Sequence, residues 1–438
     1  MVASSVVHRA RESPWPAVSM DDALRSIDAN FGDLRAVEKK IGEVRSGDVI
    51  AQEVRAKHPH PRFRISRMDG YALKAADPIG NLRLLGAIPA GRSARRLEIP
   101  LLHCFRINTG GIVPDSADAV IPVEFTKLVE HNDEEELVIE TQKKMEVGQN
   151  IREVGSDIPA GELLISEGAQ LGAAEIGLLA NAGCSAVRVF RRPTVGVLST
   201  GDELVDLDET QGGTAEIPEG KILDSNRPML VELLRSRGFE VRDCGIVADK
   251  REVLEQNICD HFAHCDVLVS SGGVSMGDKD LLKDVLQHDL RFDIHFGRVF
   301  MKPGLPSTFA TGEVGGKKCV FFGLPGNPVS AFVSTHLFVL PMLRRRSGCS
   351  EERSRGTTIK VKLGEDVRLD ARPEYVRAHF EANAADLPTA RIISSNQVSS
   401  RLLSVTHANL LLALPPRSGE TAALEKGDVV DAIVIDWL

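Results

Sequence analysis

No apolar run in the 438 residues reaches the length needed to span a bilayer, which excludes a transmembrane helix. The N-terminal stretch lacks the basic, apolar, small-residue order of a secretory signal. The seven cysteines are scattered, and none falls in a C-x-x-C pair. Such a set argues against a zinc ribbon or a disulfide framework and predicts reduced thiols in a cytoplasmic (cytosolic) protein. Positive charge is also in deficit. The formal net charge of −9 argues against general nucleic-acid binding. It also sets a problem for any anionic substrate, whose site would need local backbone donors, Lys or Arg, and a divalent cation. Internal repeats and low-complexity tracts are missing too.

What the chain does have is length and an ordinary globular composition. Hydrophobic residues make up 42% and charged residues 26%, and 438 residues are too many for one core. Residues 1–20 read as a loose, proline-punctuated arm. Ser19 followed by Asp22 opens a short amphipathic helix over 20–31. Short apolar runs broken by Gly and Pro over 62–150 predict a small β-rich domain, with Asp133–Glu136 as a solvated loop tip. Residues 169–183 predict an apolar helix ending at a glycine. From Arg192 to Arg346 strand-like runs (194–198, 266–271, 318–323) alternate with helical patterns (226–237, 250–263, 278–288, 328–345). That alternation predicts a parallel, doubly wound α/β sheet. Residues 350–438 return to short strands and turns and predict a second small β domain.

Three loops in the α/β segment carry the chemistry. STGDE (199–203), SGGVSMGDKD (271–280) and GLPGNPVS (323–330) each follow a strand, at the edge where open α/β sheets bind ligands. Gly272, Gly273 and Gly277 permit close backbone approach, and a following helix would aim free N–H groups at an anion. Pro325, Gly326, Asn327 and Pro328 form a tight turn, with Pro328 suited to a first helical turn. Taken singly, each loop is explained as a short turn; three in one sheet point to a cleft for phosphate or a heterocycle. Asp202, Glu203, Asp249, Asp278 and Asp280 sit on the same edge and would repel phosphate unless Mg²⁺ joins them. Helix capping explains Asp278 as well as a ligand role does, and it explains Asp224 and Ser225 better. Arg298 and Lys302, four apart in a strand-like run, are expected on one face and at the same edge; a surface strand with snorkelling side chains is the alternative.

Ten segments, taken in order, resemble one family. They are MDGYA (68–72), PDSADAVIPVE (114–124), GQNIREVGSDI (148–158), STGDEL (199–204), DSNR (224–227), SGGVSMGDKD, HFGRVFMKPGLP (295–306), LPGNPVS, RPEYVR (372–377) and NQVSSRL (396–402). The chain resembles the MoeA/gephyrin E-domain family, the molybdopterin molybdotransferases, over nearly its whole length. MKPGLP and RPEYVR are nearer the animal gephyrin form, STGDEL the bacterial one. The resemblance implies an arm (1–19), a discontinuous domain I (20–61 and 152–190), an inserted β domain II (62–151), a domain III like the molybdopterin-adenylylating proteins (191–347) and a β domain IV (348–438).

It also implies an activity, insertion of molybdate into adenylylated molybdopterin with Mg²⁺-dependent release of AMP. It further implies a homodimer, a separate adenylyltransferase and acceptor apo-molybdoenzymes as partners, with no nucleic acid and no membrane segment. Carried over residue by residue, the catalytic set is Asp69, Asp157, Glu203, Asp249, Asp280 and Lys302, with Glu203, Asp249 and Asp280 as metal ligands. Substrate contacts are expected from Ser199, Thr200, Gly201, Gly272, Gly273, Ser275, Gly277, Arg298, the Pro325–Pro328 turn, Arg377, Ser399 and Ser400. Asp69 has an alternative role as a turn cap before Gly70, and Arg152 as a hinge contact. A gephyrin-like scaffold or regulatory role is the alternative function, but the aromatic positions on which gephyrin's receptor anchoring depends are Leu24 and Thr421 here. NTGG (108–111) and GSD (155–157) depart from the family's usual turns.

Overall fold

The computed structural model describes residues 14–206, 217–274, 281–384, 386–394, 396–419 and 421–437. Two compact units emerge, one of residues 1–37, 47–51 and 188–438, the other of residues 38–46 and 52–187.

The first unit is built on a six-stranded sheet. Its strand order is Glu240–Val247, Thr194–Thr200, Val267–Ser271, Lys317–Leu324, Thr308–Val314, Asp293–Phe296. The first four strands pair parallel; Thr308–Val314 pairs antiparallel with both Lys317–Leu324 and Asp293–Phe296 and so alone runs the other way. The central strands read as near-continuous Val/Leu/Phe runs because both faces are covered. Val195, Val197, Val267, Val269, Val320 and Phe322 face one core with Leu230 and Leu234 of helix Asn226–Ser236. Leu198, Leu268 and Phe321 face a second core with Leu254, Ile258 and Phe262 of helix Arg251–Phe262. The sheet is thus doubly wound, as the alternation of strands and helices predicts.

The helix expected over 20–31 spans Met20–Asn30, and the Ser19 hydroxyl accepts the Asp22 N–H at its start. Ala23 and Ile27 enter the first core. The helix expected over 328–345 starts at Pro328 and runs to Arg346 through a π-helical turn at Thr335–Val339. The helix expected over 278–288 is described from Leu282 to Asp289, its second part again π-helical. Residues 358–434 close into a five-stranded barrel around Val361, Val376, Ala378, Leu410, Leu412 and Ala432.

The second unit carries a six-stranded sheet in the order Ala119–Pro122, Gly70–Leu73, His103–Ile107, Asn81–Ile88, Glu136–Thr141, Thr126–His131. Its apolar residues fill two small cores, one on each face. Residues 133–135 form the exposed tip expected of the acidic run, but Glu136 opens a strand and its carboxylate accepts the Tyr71 hydroxyl at 2.9 Å. Helix Ala173–Asn181 is followed by Gly183 in the left-handed region (φ 75°). The chain is therefore α/β and multidomain, with a central doubly wound sheet and β domains. Among the described residues no helix is long and apolar enough to cross a membrane.

Candidate functional site

Strand Thr194–Thr200 lies between strands Glu240–Val247 and Val267–Ser271. The chain leaves its C-terminal end toward one neighbour and later returns on the other side. That reversal opens a crevice beyond the strand ends, the place where open α/β sheets take ligands. Ser199 stands opposite Ser271 in register, so the 199–203 and 271–274 loops leave the sheet together. They are packed so closely that a Cβ at Gly273 would lie 2.7 Å from Thr200 Oγ1. Gly272 and Gly273 both have positive φ (95° and 68°), so the two glycines answer a steric and a conformational demand at once.

A buried polar network ties these loops to two others. Ser199 Oγ donates to Asp224 Oδ1 at 3.0 Å, and the same oxygen accepts the backbone N–H groups of Asn226 and Arg227. Asp224 is therefore a cap of helix Asn226–Ser236, whereas the Ser225 side chain makes no cap bond. Arg227 closes the network, with Nε 3.0 Å from Asp224 Oδ2 and further ion pairs to Asp206 and Asp243. Asn226 Nδ2 donates to Ser271 Oγ at 2.6 Å and to the Gly326 carbonyl at 2.7 Å, drawing in the Pro325–Pro328 turn. Among the described residues, the buried Thr200 Oγ1 and Asn226 Oδ1 at this edge have no hydrogen-bond partner. Buried polar atoms are normally paired, and these two are suited to a ligand's polar groups.

The acidic residues occupy the adjoining loops. Asp249 N–H donates to Asp202 Oδ1 at 3.2 Å, so the turn after strand Glu240–Val247 meets the 201–203 loop. Glu203 folds back over Gly201, where a Cβ would lie 2.6 Å from its carboxylate. Glu203 and Asp249 offer only oxygen donors, a set that suits Mg²⁺ and not a softer ion. No group of three His, Cys, Asp or Glu able to hold a metal occurs among the described residues. Ser275, Gly277, Asp278 and Asp280 lie outside them. Since Mg²⁺ is commonly held by one or two carboxylates plus substrate phosphate, Glu203 and Asp249 fit it.

The Arg298–Lys302 segment is not a regular strand, so the parity argument for a shared face does not hold. It is pinned instead by isolated bridges, Val299 to Val18 and Lys302 to Glu374. Lys302 Nζ sits 3.1 Å from both Asp370 and Glu374, joining the segment to the barrel. Burial alone would depress the Lys302 pKa, but the two carboxylates outweigh it and raise it. Arg298 is half-buried. A cavity of about 400 Å³ opens here, lined by Lys302, Glu374, Val376, Ser394, Asn396 and Gln397.

Arg377 is fully buried, on the strand face opposite Val376. Its guanidinium donates to Gln397 O at 2.8 Å and Ser404 Oγ at 2.9 Å. Burial, partly offset by Glu374, pushes its pKa down to about 10. Gln397 in turn accepts the Arg377 N–H at 3.1 Å, so strand Glu374–Glu381 and the 394–400 turn are clasped together. In that turn the Ser399 carbonyl accepts the N–H of Val329 at 3.1 Å, which brings Ser399 to the start of the Pro328 helix; Ser400 is exposed. Thr200, Gly272, Gly273, Gly326 and Ser399 are thereby collected at one sheet edge, with Arg377 behind them. Asn226, Gln397 and Glu374 are the structural partners that sequence reasoning missed; all three lie inside or beside motifs already singled out.

Asp69 and Asp157 belong to the second unit. Asp69 Oδ1 accepts the Thr109 N–H at 2.6 Å, so its carboxylate caps the NTGG turn and not the turn at Gly70. Asp157 takes the fork of Arg152, with Arg152 Nε 2.9 Å from Oδ1. Leu24 is partly buried against the first core, and Thr421 is exposed.

An open α/β crevice joined to a β-barrel turn defines a ligand-binding multidomain α/β protein. The chain belongs to the MoeA family. Family profiles match over residues 18–183 (MoeA N-terminal region, domain I and II), 196–345 ("Probable molybdopterin binding domain") and 360–435 (MoeA C-terminal region, domain IV). Gephyrin of Dictyostelium discoideum is 34% identical over 97% of the chain, which spans 63% of that protein's length. Molybdopterin molybdenumtransferase of a Nostoc species is 32% identical, with 88% of this chain and 86% of that protein covered. The crystal structure of a molybdopterin biosynthesis MoeA protein from Pyrococcus horikosii matches with a TM-score of 0.77 at 26% identity, over 97% of this chain and 100% of that one.

Proposed function

We propose that this chain is a molybdopterin molybdenumtransferase that inserts molybdate into adenylylated molybdopterin and releases AMP. The observation that carries the reading is the convergence at one sheet edge of the 199–203, 271–274 and 325–328 loops with the Ser399 turn of the barrel. The glycine loop and the Pro328 helix start offer backbone donors to phosphate. Thr200, Gly201, Gly272, Gly273 and Asn327, with Ser275 and Gly277, hold the pterin-nucleotide; Ser199 and Asn226 act behind them by fixing the loops. Arg298 contributes charge toward the pyrophosphate. Ser399 and Ser400 contact molybdate, a tetrahedral dianion suited to hydroxyl and charge-assisted bonds. Arg377 supports them by holding the turn and by its positive charge.

Glu203, Asp249 and Asp280 would hold Mg²⁺, which supplies charge neutralisation at the pyrophosphate. Lys302 orients the barrel against the crevice through Asp370 and Glu374. No protein nucleophile is invoked, so catalysis is positioning and electrostatic. Asp69 and Asp157, a homodimer, the division at residues 61/62, 151/152, 190/191 and 347/348, an acceptor apo-molybdoenzyme and a separate adenylyltransferase in the cytosol belong to the same proposal. The test is reconstitution. Purified protein with molybdopterin-AMP, Mg²⁺ and molybdate should activate an apo-molybdoenzyme; absence of activation beyond that given by molybdopterin-AMP and molybdate alone would refute the reading.

A further inference from the structure

A second cationic cavity, of about 240 Å³, lies in the first unit where helix Leu340–Arg346 meets the segment after the last barrel strand. Arg237, His336, Arg344, Arg355, Asp436 and Trp437 line it, and none belongs to the site described above. Arg355 is neutralised by Asp28 at 3.0 Å and Glu351 at 2.6 Å. Among the described residues, Arg237 and Arg344 form no ion pair. Arg237 donates to the Ile435 carbonyl, and its Nε is buried with no partner among the described residues; Arg344 donates to the Ser354 carbonyl at 3.1 Å. Asp436 is exposed and accepts its neighbour's backbone N–H, from Trp437, at 2.9 Å. His336 is 8% exposed, and its Nε2 is buried without a partner among the described residues.

Two half-buried guanidinium groups that form no ion pair among the described residues, beside an unsatisfied buried imidazole nitrogen, form an arrangement that costs stability when empty. Its physical signs agree. Burial first and Arg237 second hold the Arg344 pKa below the usual value. Burial, then Arg237 and Arg344, push His336 down to about 3, so the ring is neutral and able to donate a hydrogen bond from one nitrogen. A small oxyanion would satisfy all three groups at once, with charge-assisted bonds from the arginines and one from the imidazole. The same volume rules against a dinucleotide.

We infer that the Arg237–His336–Arg344 cavity is a binding site for one tetrahedral oxyanion, a free phosphate or the phosphate of a mononucleotide. The inference does not depend on the molybdenumtransferase reading.

Calorimetry on the full chain tests it, with inorganic phosphate and AMP titrated separately. The expected result for phosphate is saturable binding that falls about tenfold or more in Arg237→Gln, the scale of one lost charge-assisted bond. AMP competing for the same site would identify the mononucleotide as a second source; AMP binding that persists in Arg237→Gln belongs to the crevice and leaves free phosphate as the ligand here. Arg344→Gln can disturb the fold through Ser354, so a second readout is the His336 ring signal in NMR, which should shift on phosphate addition to the unaltered protein. Absence of saturable phosphate binding, or an unchanged affinity in a folded Arg237→Gln protein, overturns the inference. An unmoved His336 signal at saturation does so as well.

Discussion

Asn226 reaches Ser271 Oγ at 2.6 Å with the same amide nitrogen that holds the Gly326 carbonyl, so one side chain sets the spacing of two ligand loops. Replacing it in Asn226→Ala takes this donor from the buried Ser271 hydroxyl and from the Gly326 carbonyl. The expected cost is about 1–3 kcal/mol of stability, with weaker molybdopterin-AMP binding as the loops separate. Urea unfolding and a binding titration check this; an unchanged affinity would show that the loops are held by other means.

Arg377 and Ser399 should separate by readout. Arg377→Met removes a fully buried cation that binds Gln397 O and Ser404 Oγ, so it should cost roughly 2–4 kcal/mol of stability and raise the molybdate KM. Ser399→Ala should raise the molybdate KM with stability within about 0.5 kcal/mol of the unaltered protein. Equal destabilisation by both would argue that Ser399 is structural.

Lys302, Asp370 and Glu374 give a pH signature. Burial pushes the Asp370 pKa up, but the Arg372 N–H, Lys302 and the Arg372 side chain outweigh it and hold the carboxyl down to about 2. A carboxyl depressed on folding contributes stability above its unfolded value of about 3.9, and that contribution is lost as pH falls toward about 2. Lys302→Met should therefore destabilise at pH 7 by roughly 1–3 kcal/mol, mainly by stranding the buried Glu374. It should also flatten the loss of stability between about pH 4 and 2. Urea denaturation across that range decides it; an unaltered slope would mean that Lys302 does not hold Asp370.

Metal removal is the fourth expectation. Glu203 and Asp249 stand on neighbouring loops of the crevice, and a diphosphate cannot sit beside them uncompensated. EDTA should abolish AMP release and Mg²⁺ should restore it. Glu203→Gln should raise the Mg²⁺ concentration required. Full activity in EDTA would remove the metal from the account.

Much of the fold was legible because burial writes itself into the sequence. Strand Val267–Ser271 is buried on both faces and opens on three consecutive apolar residues, and the Asn226 and Pro328 helices carry their own start signals. Glycine loops after strands located the crevice for the same local reason. Asp224 was legible as a cap because capping is decided within three residues. Long-range pairing was not. Nothing near Lys302 announces that Glu374, seventy-two positions away, will meet it. The even spacing of Arg298 and Lys302 suggested a strand, yet bridges to Val18 and Glu374 fix that segment irregularly. Arg377 could be assigned by resemblance, but only packing reveals that its guanidinium is spent on a carbonyl and a hydroxyl inside the unit.

The most direct measurement is AMP release from purified molybdopterin-AMP in Mg²⁺, with molybdate varied from none to excess. The account predicts release that saturates with molybdate, falls to background without it, and shifts to higher molybdate in Ser399→Ala. Release at full rate without molybdate, or none at any molybdate concentration, would contradict it.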